Sequence, residues 1–179
     1  MSTEEGVVRV EIPEGVDAMV DEELNVTVRG PLGEVKRKFG DPRAFVSREG
    51  NAITISVASN RRKSLAMLNT YRAHFKNMFK GVTEGFTYEM QIVYSHFPMR
   101  VNVKENEVLI QNFLGERAPR KAKISEGVKV EVKGDKVILR GVDKEKVGQS
   151  AANIERATKI RRRDPRVFQD GIYILGGAR

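Results

Sequence analysis

The strongest constraint on what this chain can fold into is that its second half repeats the features of its first, in the same order. Val26-Thr27-Val28-Arg29-Gly30-Pro31-Leu32-Gly33-Glu34 runs into the basic stretch Lys36-Arg37-Lys38. A shift of 82 residues (26 to 108) reaches Val108-Leu109-Ile110-Gln111-Asn112-Phe113-Leu114-Gly115-Glu116, which runs into Arg117-Ala118-Pro119-Arg120-Lys121. Both read as an alternating strand, a tight Leu-Gly-Glu turn and a second strand. Ala52-Ile53-Thr54-Ile55-Ser56-Val57 is then matched at a shift of 84 (52 to 136) by Lys136-Val137-Ile138-Leu139-Arg140. Each half closes with a helical pattern. Several features in one order at nearly one spacing indicate internal duplication.

Within each half the strands alternate with period two, as half-buried antiparallel strands do: Leu24, Val26 and Val28 in one, Val128, Val130 and Val132 in another. Strands are expected at Val7–Ile12, Tyr88–Val93 and Met99–Val103, with Asn51, Gly134 and Asp135 at tight connections. In Arg62–Lys80, the residues Leu65, Leu68, Tyr71/Arg72, Phe75 and Phe79 recur at helical spacing, with Asn60 as cap and Gly81 as stop. In Lys144–Lys159, Val147, Ala151, Ile154 and Thr158 form a narrower stripe. The class is therefore α+β: a tandem duplication of a small antiparallel β-sheet covered on one face by an α-helix. The expected organisation is an N-terminal domain at 1–81, a hinge at 82–86 and a C-terminal domain with a basic tail at 87–179.

Little in the chain can do covalent chemistry. There is no cysteine, hence no disulfide, thiol nucleophile or thiolate metal site. His74 and His96 stand 22 residues apart without a second ligand at metal-binding spacing. Next to Phe97 and Pro98, His96 reads as a packed or turn histidine. Gly30-x-x-Gly33 lacks the Lys-Ser/Thr of a phosphate loop, and Gly176-Gly177 comes too late to open a helix. Asp21-Glu22-Glu23 and Glu105 with Glu107 fall in turns or on exposed strand positions, where no cleft would split their pKa values. No catalytic residue, metal ligand or cofactor is expected. No apolar run approaches the ~20 residues that span a bilayer. The acidic start, Met1-Ser2-Thr3-Glu4-Glu5-Gly6, is no signal peptide, so a soluble cytoplasmic protein is expected.

The 32 Lys and Arg against 24 Asp and Glu leave a net charge of +8, unevenly placed. Up to Phe86 there are 13 bases and 12 acids (+1); beyond it, 19 bases and 12 acids (+7). The first 35 residues hold nine acids and two bases, whereas the last 25 hold seven bases and three acids. A positive field at one end attracts polyanions. Four constellations carry it. Lys159-Ile160-Arg161-Arg162-Arg163-Asp164-Pro165-Arg166 follows the last helix, and Pro165 keeps it extended, as a chain tracking phosphates would be. Cations there also cap the helix dipole, so a solvated cap is the alternative. Gly148-Gln149-Ser150-Ala151-Ala152-Asn153 offers Gln149 and Asn153 amides among small residues, suited either to a groove or to tight packing on a sheet. Arg117, Arg120 and Lys121 are phosphate ligands or edge-strand protection. Arg61-Arg62-Lys63 opposes the dipole of the first helix, which calls for an anion or an acidic neighbour.

Val142-Asp143-Lys144-Glu145-Lys146-Val147-Gly148-Gln149-Ser150-Ala151-Ala152-Asn153-Ile154-Glu155, followed by Arg161-Arg162-Arg163-Asp164-Pro165-Arg166-Val167-Phe168-Gln169-Asp170-Gly171-Ile172-Tyr173, resembles the universal ribosomal large-subunit protein six family. The Arg-x-Arg-Asp-x-Arg-x-Phe-x-Asp-Gly-Ile-Tyr ending, Asn112-Phe113-Leu114-Gly115-Glu116 and His96-Phe97-Pro98-Met99 are similar to its archaeal and eukaryotic branch, where the eukaryotic counterpart is protein nine. The resemblance implies a two-domain structural constituent of the large ribosomal subunit. It further implies binding to large-subunit ribosomal RNA, chiefly through the C-terminal domain and tail, near the sarcin–ricin loop and the translational GTPase docking region. Neighbouring ribosomal proteins and those GTPases are then the other partners. Gln149, Asn153, Lys159, Arg161, Arg162, Arg163 and Arg166 fall where the family meets RNA. Two readings stand beside it: a free RNA-binding regulator with two small modules, and an adaptor using the acidic first domain. Against the first, the RNA-recognition and KH signatures are absent.

Overall fold

A computed structural model describes residues 6–21, 23–41, 44–57, 61–164 and 166–176. The elements in chain order are β1 (Val7–Glu11), β2 (Asp17–Val20), β3 (Asn25–Gly30), β4 (Gly33–Lys38), β5 (Ala44–Glu49), β6 (Ala52–Val57) and α1 (Arg62–Thr83). They continue with β7 (Phe86–Val93), β8 (Arg100–Lys104), β9 (Glu107–Gln111), β10 (Arg120–Lys123), β11 (Val128–Lys133), β12 (Lys136–Gly141), α2 (Lys144–Ala157) and β13 (Gly171–Gly176). The chain divides into two compact units, Met1–Gly85 and Phe86–Arg179.

The class is the α+β duplication the sequence predicts, but each unit divides its strands between two sheets instead of one. In the first unit β2, β3 and β4 form a meander, while β1 pairs with β6 and β6 with β5, all antiparallel. In the second, β8, β9 and β10 form the meander, while β7 pairs with β12 and β12 with β11. The reason is the same in both: the first strand of the unit reaches past the meander to the strand that precedes the helix. Val10 lies opposite Ile53, and Met90 opposite Val137.

The two turns of the repeated Leu-Gly-Glu motif differ. Gly30 and Gly33 pair across a two-residue turn in the first copy. In the second, residues 112–119 intervene, including a single 3-10 turn at Phe113–Gly115 with Asn112 and Leu114 left-handed (φ 59° and 49°).

In the first unit, Phe39 stacks on Phe75 (ring centroids 4.7 Å) and meets Tyr71 edge-on (4.8 Å). Leu68, Phe75, Met78, Phe79 and Val82 bury the inner face of α1. Leu65, expected inward, is only half-buried, and Ser64 is buried one position earlier. Gly81 does not stop the helix; it is buried within it, and α1 runs to Thr83. The terminator is Gly85, left-handed at φ 77°, whose amide donates to Lys80 O (3.2 Å). Asn60, the expected cap, lies outside the described residues. Arg61 occupies the capping position and makes no side-chain cap bond.

The second unit's core joins Met90, Ile92, Val137, Leu139 and Ile172 of the larger sheet to Val108, Ile110, Phe113 and Ala122, under Val147, Ala151 and Ile154 of α2. Burying an isoleucine completely, as at Ile154 and Ile172, contributes roughly 2–3 kcal/mol. Ile172 belongs to the strand the repeat did not foretell. β13 adds to β7 antiparallel, Ile172 opposite Ile92, and makes this sheet four-stranded. The basic segment is therefore not a trailing end. It is a loop, residues 158–170, held at both ends by core elements. Pro165, which the sequence reading uses to keep it extended, lies outside the described residues.

Candidate nucleic-acid interface

The site is built on α2, the start of β10 and the loop after α2. Asp143 caps α2, accepting from the amide of Glu145 (2.9 Å). The small residues of its first turns serve packing. Ser150 and Ala151 are fully buried, and the Ser150 hydroxyl accepts from Ser125 N (2.9 Å) and donates to Lys146 O (2.8 Å). At Gly148 a Cβ would come within 3.3 Å of the Tyr88 hydroxyl oxygen. Of the two uses open for this stretch, tight packing on the sheet takes Gly148, Ser150 and Ala151. Gln149 is exposed and Asn153 half-buried, one turn apart on the other side. Gln149 Nε2 donates to Asn153 Oδ1 (2.9 Å), and Asn153 Nδ2 donates to Lys123 O on β10 (3.0 Å). Asn153 thus fixes the exposed Gln149 through its Nε2.

The cations before and along β10 separate by role. Arg117 is exposed ahead of the strand. Arg120 turns inward, its side chain 27% exposed. Its guanidinium holds Glu116 bidentately (2.6 and 2.8 Å), donates to Ala157 O (2.8 Å) and Lys159 O (3.4 Å), and lies 4.2 Å over the Phe113 ring. A guanidinium has five N–H donors in a fixed fork, and these bonds engage it within the fold, so Arg120 is a clamp between β10 and the end of α2. Lys121 alternates to the opposite face of the strand, exposed and only 3.8 Å from Glu107.

The loop begins at Thr158, a buried hydroxyl that donates to Glu155 O (3.1 Å) and accepts from Ile172 N (3.0 Å), tying the end of α2 to β13. Lys159, Arg161, Arg162, Arg163 and Arg166 are all exposed. Arg162 is left-handed at φ 59°, a conformation costing a non-glycine residue roughly 1–2 kcal/mol. Two residues on, Asp164 organises a turn, in which its carbonyl accepts from Val167 N (3.1 Å) and Phe168 N (3.0 Å) and its carboxylate from Arg166 N (2.9 Å). Among the described residues, no carboxylate pairs with Lys159, Arg161, Arg162 or Arg166. Arg163 lies 4.7 Å over the Phe168 ring, and the same ring stacks on His96 (4.6 Å).

Behind that stack sits Asp170, fully buried. It accepts from Ser95 N and His96 N (3.3 Å each), from Ser95 Oγ (3.1 Å), and meets His96 Nδ1 at 3.0 Å. Burial pushes its carboxyl pKa up, but the bonds from His96 and Ser95 outweigh it and hold the group below its ordinary value. Ionised, the carboxylate only accepts, so Nδ1 of His96 carries the proton. Serine, histidine and aspartate together do not make a hydrolytic triad here. Ser95 Oγ lies 3.2 Å from the same Nδ1 that faces Asp170, whereas a nucleophile needs its base at the other ring nitrogen. His74 sits in α1 beside Arg37 (3.3 Å to Nε2). Among the described residues, no three His, Asp or Glu side chains gather as metal ligands do. No described helix is long and apolar enough to cross a membrane.

Sequence reasoning misses the scaffold of the loop: Ser95, Phe168 and Asp170 escaped it. Its one available signal was an acid inside the apolar pattern Phe168-Gln169-Asp170-Gly171-Ile172. Arg61, Arg62 and Lys63 belong to the first unit, exposed at the start of α1, whose first turn carries no acid. What the second unit presents chemically is a row of exposed guanidinium groups on a loop fixed at both ends, suited to phosphate oxygens.

A family model described as ribosomal protein L6 matches the chain twice, over residues 12–85 and 97–171, once per half. The chain is 51% identical over 166 residues to the large ribosomal subunit protein uL6 of Methanobrevibacter smithii, covering 93% of each. It is 49% identical over 172 residues to that of Methanothrix thermoacetophila, covering 96% of this chain and 97% of the relative. Against that of Methanosarcina mazei it is 46% identical over 166 residues, covering 93% and 94%.

Proposed function

The chain belongs to the ribosomal protein L6 family, and we propose on that premise that its second unit binds large-subunit ribosomal RNA through the loop 158–170 and the outer side of α2. As a member of that family it is a structural constituent of the large ribosomal subunit in the cytoplasm, not an enzyme. The observation that carries the RNA reading is the exposed set Lys159, Arg161, Arg162, Arg163 and Arg166, set on a backbone fixed by Thr158, Asp164 and Asp170. A loop already ordered loses less entropy on binding than a free tail, so its cations give more net affinity. Phosphate contacts of this kind orient a protein on RNA without reading sequence. Arg117 extends the basic surface, and Gln149 offers an amide to ribose or a base edge. Arg120 and Lys121 are left out, the first engaged as a clamp and the second turned to the other face of β10. The position of this unit in the subunit is near the sarcin–ricin loop and the docking region of translational GTPases, with neighbouring ribosomal proteins as further partners.

Two measurements test this. Native lysate is sedimented in high magnesium, and the chain is expected to migrate with large subunits. Migration as a free protein would return the reading to a stand-alone RNA-binding regulator. Cross-links from lysines of the second unit in intact subunits are expected to reach the sarcin–ricin loop; cross-links confined to distant RNA would refute that position.

A further inference from the structure

We infer that Asp170 is a positioning residue for RNA binding, setting the guanidinium of Arg163 through a relay of His96 and Phe168. The inference rests on the reading of the loop as a phosphate-binding element. Arg163 has a planar group whose value to a phosphate depends on its orientation. Among the described residues, the group packed against it is the Phe168 ring, 4.7 Å away. Glu116 also feels the charge of Arg163, but its carboxyl is already held bidentately by Arg120 at 2.6 and 2.8 Å. The Phe168 ring is fixed by stacking on His96 at 4.6 Å. The imidazole is fixed in turn by Asp170, through Nδ1 at 3.0 Å and the backbone amide at 3.3 Å.

Each step has an alternative that the chain avoids. An unanchored histidine at 35% side-chain exposure would turn about its χ angles, and the half-buried phenylalanine without it would swing with the exposed loop. Burying a carboxylate is costly unless it is fully bonded. Simply ending the loop needs no charge at this place, because the Thr158 hydroxyl already ties the start of β13 to α2. A buried acid that receives two backbone amides, a hydroxyl and an imidazole from residues 74 and 75 positions away is what holds the 95–98 segment under the arginine loop.

The test is a double-mutant cycle on the full chain, with binding to deproteinised large-subunit RNA measured against salt. Arg163→Ala is expected to lower the salt slope of log K by up to ~0.9 and the affinity at 0.15 M salt roughly five-fold. Asp170→Asn is expected to reproduce most of that loss alone and to add nothing in the Arg163→Ala background. Val137→Ala serves as the structural control: it weakens the buried core of the second unit at a residue outside the loop and its anchors, and should leave the slope unchanged. If Asp170→Asn does not fold, Phe168→Leu breaks the same relay with the carboxylate intact, and is expected to behave like Arg163→Ala. Parent-like slopes for Asp170→Asn or Phe168→Leu would overturn the inference, as would equal losses with and without Arg163. Replacing Arg161, Arg162, Arg163 and Arg166 together separates the two claims. If that variant keeps the parent slope, the reading of the loop falls and the inference with it; if it loses slope while the relay variants do not, the inference alone falls.

Discussion

Replacing Arg120 with methionine separates a structural arginine from an RNA-binding one. Methionine keeps much of the stem's apolar contact and removes the fork. The pair with Glu116 is short, but the glutamate side chain is 42% exposed, so solvent screening limits it to about 0.5–1 kcal/mol. The bond to Ala157 O, from a cation to an end carbonyl of α2, adds roughly 1.5 kcal/mol. The contact with the Phe113 ring adds about 0.5–1 kcal/mol. The loss is therefore about 2.5–3.5 kcal/mol. At roughly 4–8 °C per kcal/mol for a domain near 100 residues, the melting temperature of the second unit should drop by about 10–28 °C. Arg120→Lys should recover only a minor part, because an ammonium cannot span Glu116 and the end of α2 together. The assay is thermal unfolding followed by circular dichroism, paired with a salt titration of RNA binding below the melting range. Melting within 1–2 °C (about 0.5 kcal/mol or less) of the parent, with a salt slope lower by about 0.9, would refute the clamp and make Arg120 a phosphate ligand.

Ile172→Ala should cost roughly 2–5 kcal/mol by leaving a cavity under β13, read from urea unfolding; a loss below 1 kcal/mol would mean that β13 is not part of the core. Acid should weaken the second unit through Asp170 and Glu116. Both carboxyls are held below their ordinary values of 3.8 and 4.5, so their stabilisation is complete above those values and is lost as pH falls through the lowered ones. Asp170→Asn and Glu116→Gln should each be less stable than the parent at pH 7 and converge with it toward pH 2; an unchanged gap would contradict this. Gln149→Ala should reduce RNA affinity with little change in salt slope, since an uncharged amide releases no counterion. A fall in slope near 0.9 would show that the variant displaces a charged contact instead.

The duplication was legible because it is written in local order and spacing. The strands at Val7–Glu11 and Val128–Lys133 announce themselves by period two, and the inner face of α2 by Val147, Ala151 and Ile154. Pairing is another matter. Nothing near Val10 or Ile53 says that they lie opposite one another, so the division of each half into two sheets was hidden. β13 was hidden because it has no counterpart in the first half to repeat. At the site, net charge showed which segment is basic but not which way each cation points. Arg117 and Arg120 look alike in sequence, yet one is exposed and the other is engaged with Glu116 and Ala157 O. The link from Asp170 to His96 crosses 74 residues, a separation at which no spacing rule operates. Val82 was missed because α1 continues past Gly81, while buried Ser64 and Met78 show that the inner stripe also takes in positions beside those read from the spacing, with Leu65 left half-buried.

The most direct test of the account is the salt dependence of binding to large-subunit RNA for the parent and for the variant in which Arg161, Arg162, Arg163 and Arg166 are all alanine. These side chains are exposed, and among the described residues the packing lost is Arg163 against Phe168, worth roughly 0.5–1 kcal/mol, so the variant should fold. If the loop neutralises phosphates, the slope of log K against log salt should flatten by roughly two to three, allowing for a side chain that reaches none. Affinity at low salt should fall sharply, while preference among RNAs changes less. A folded variant that binds with the parent's affinity and slope would contradict the account, and the loop would then be a solvated connection between α2 and β13.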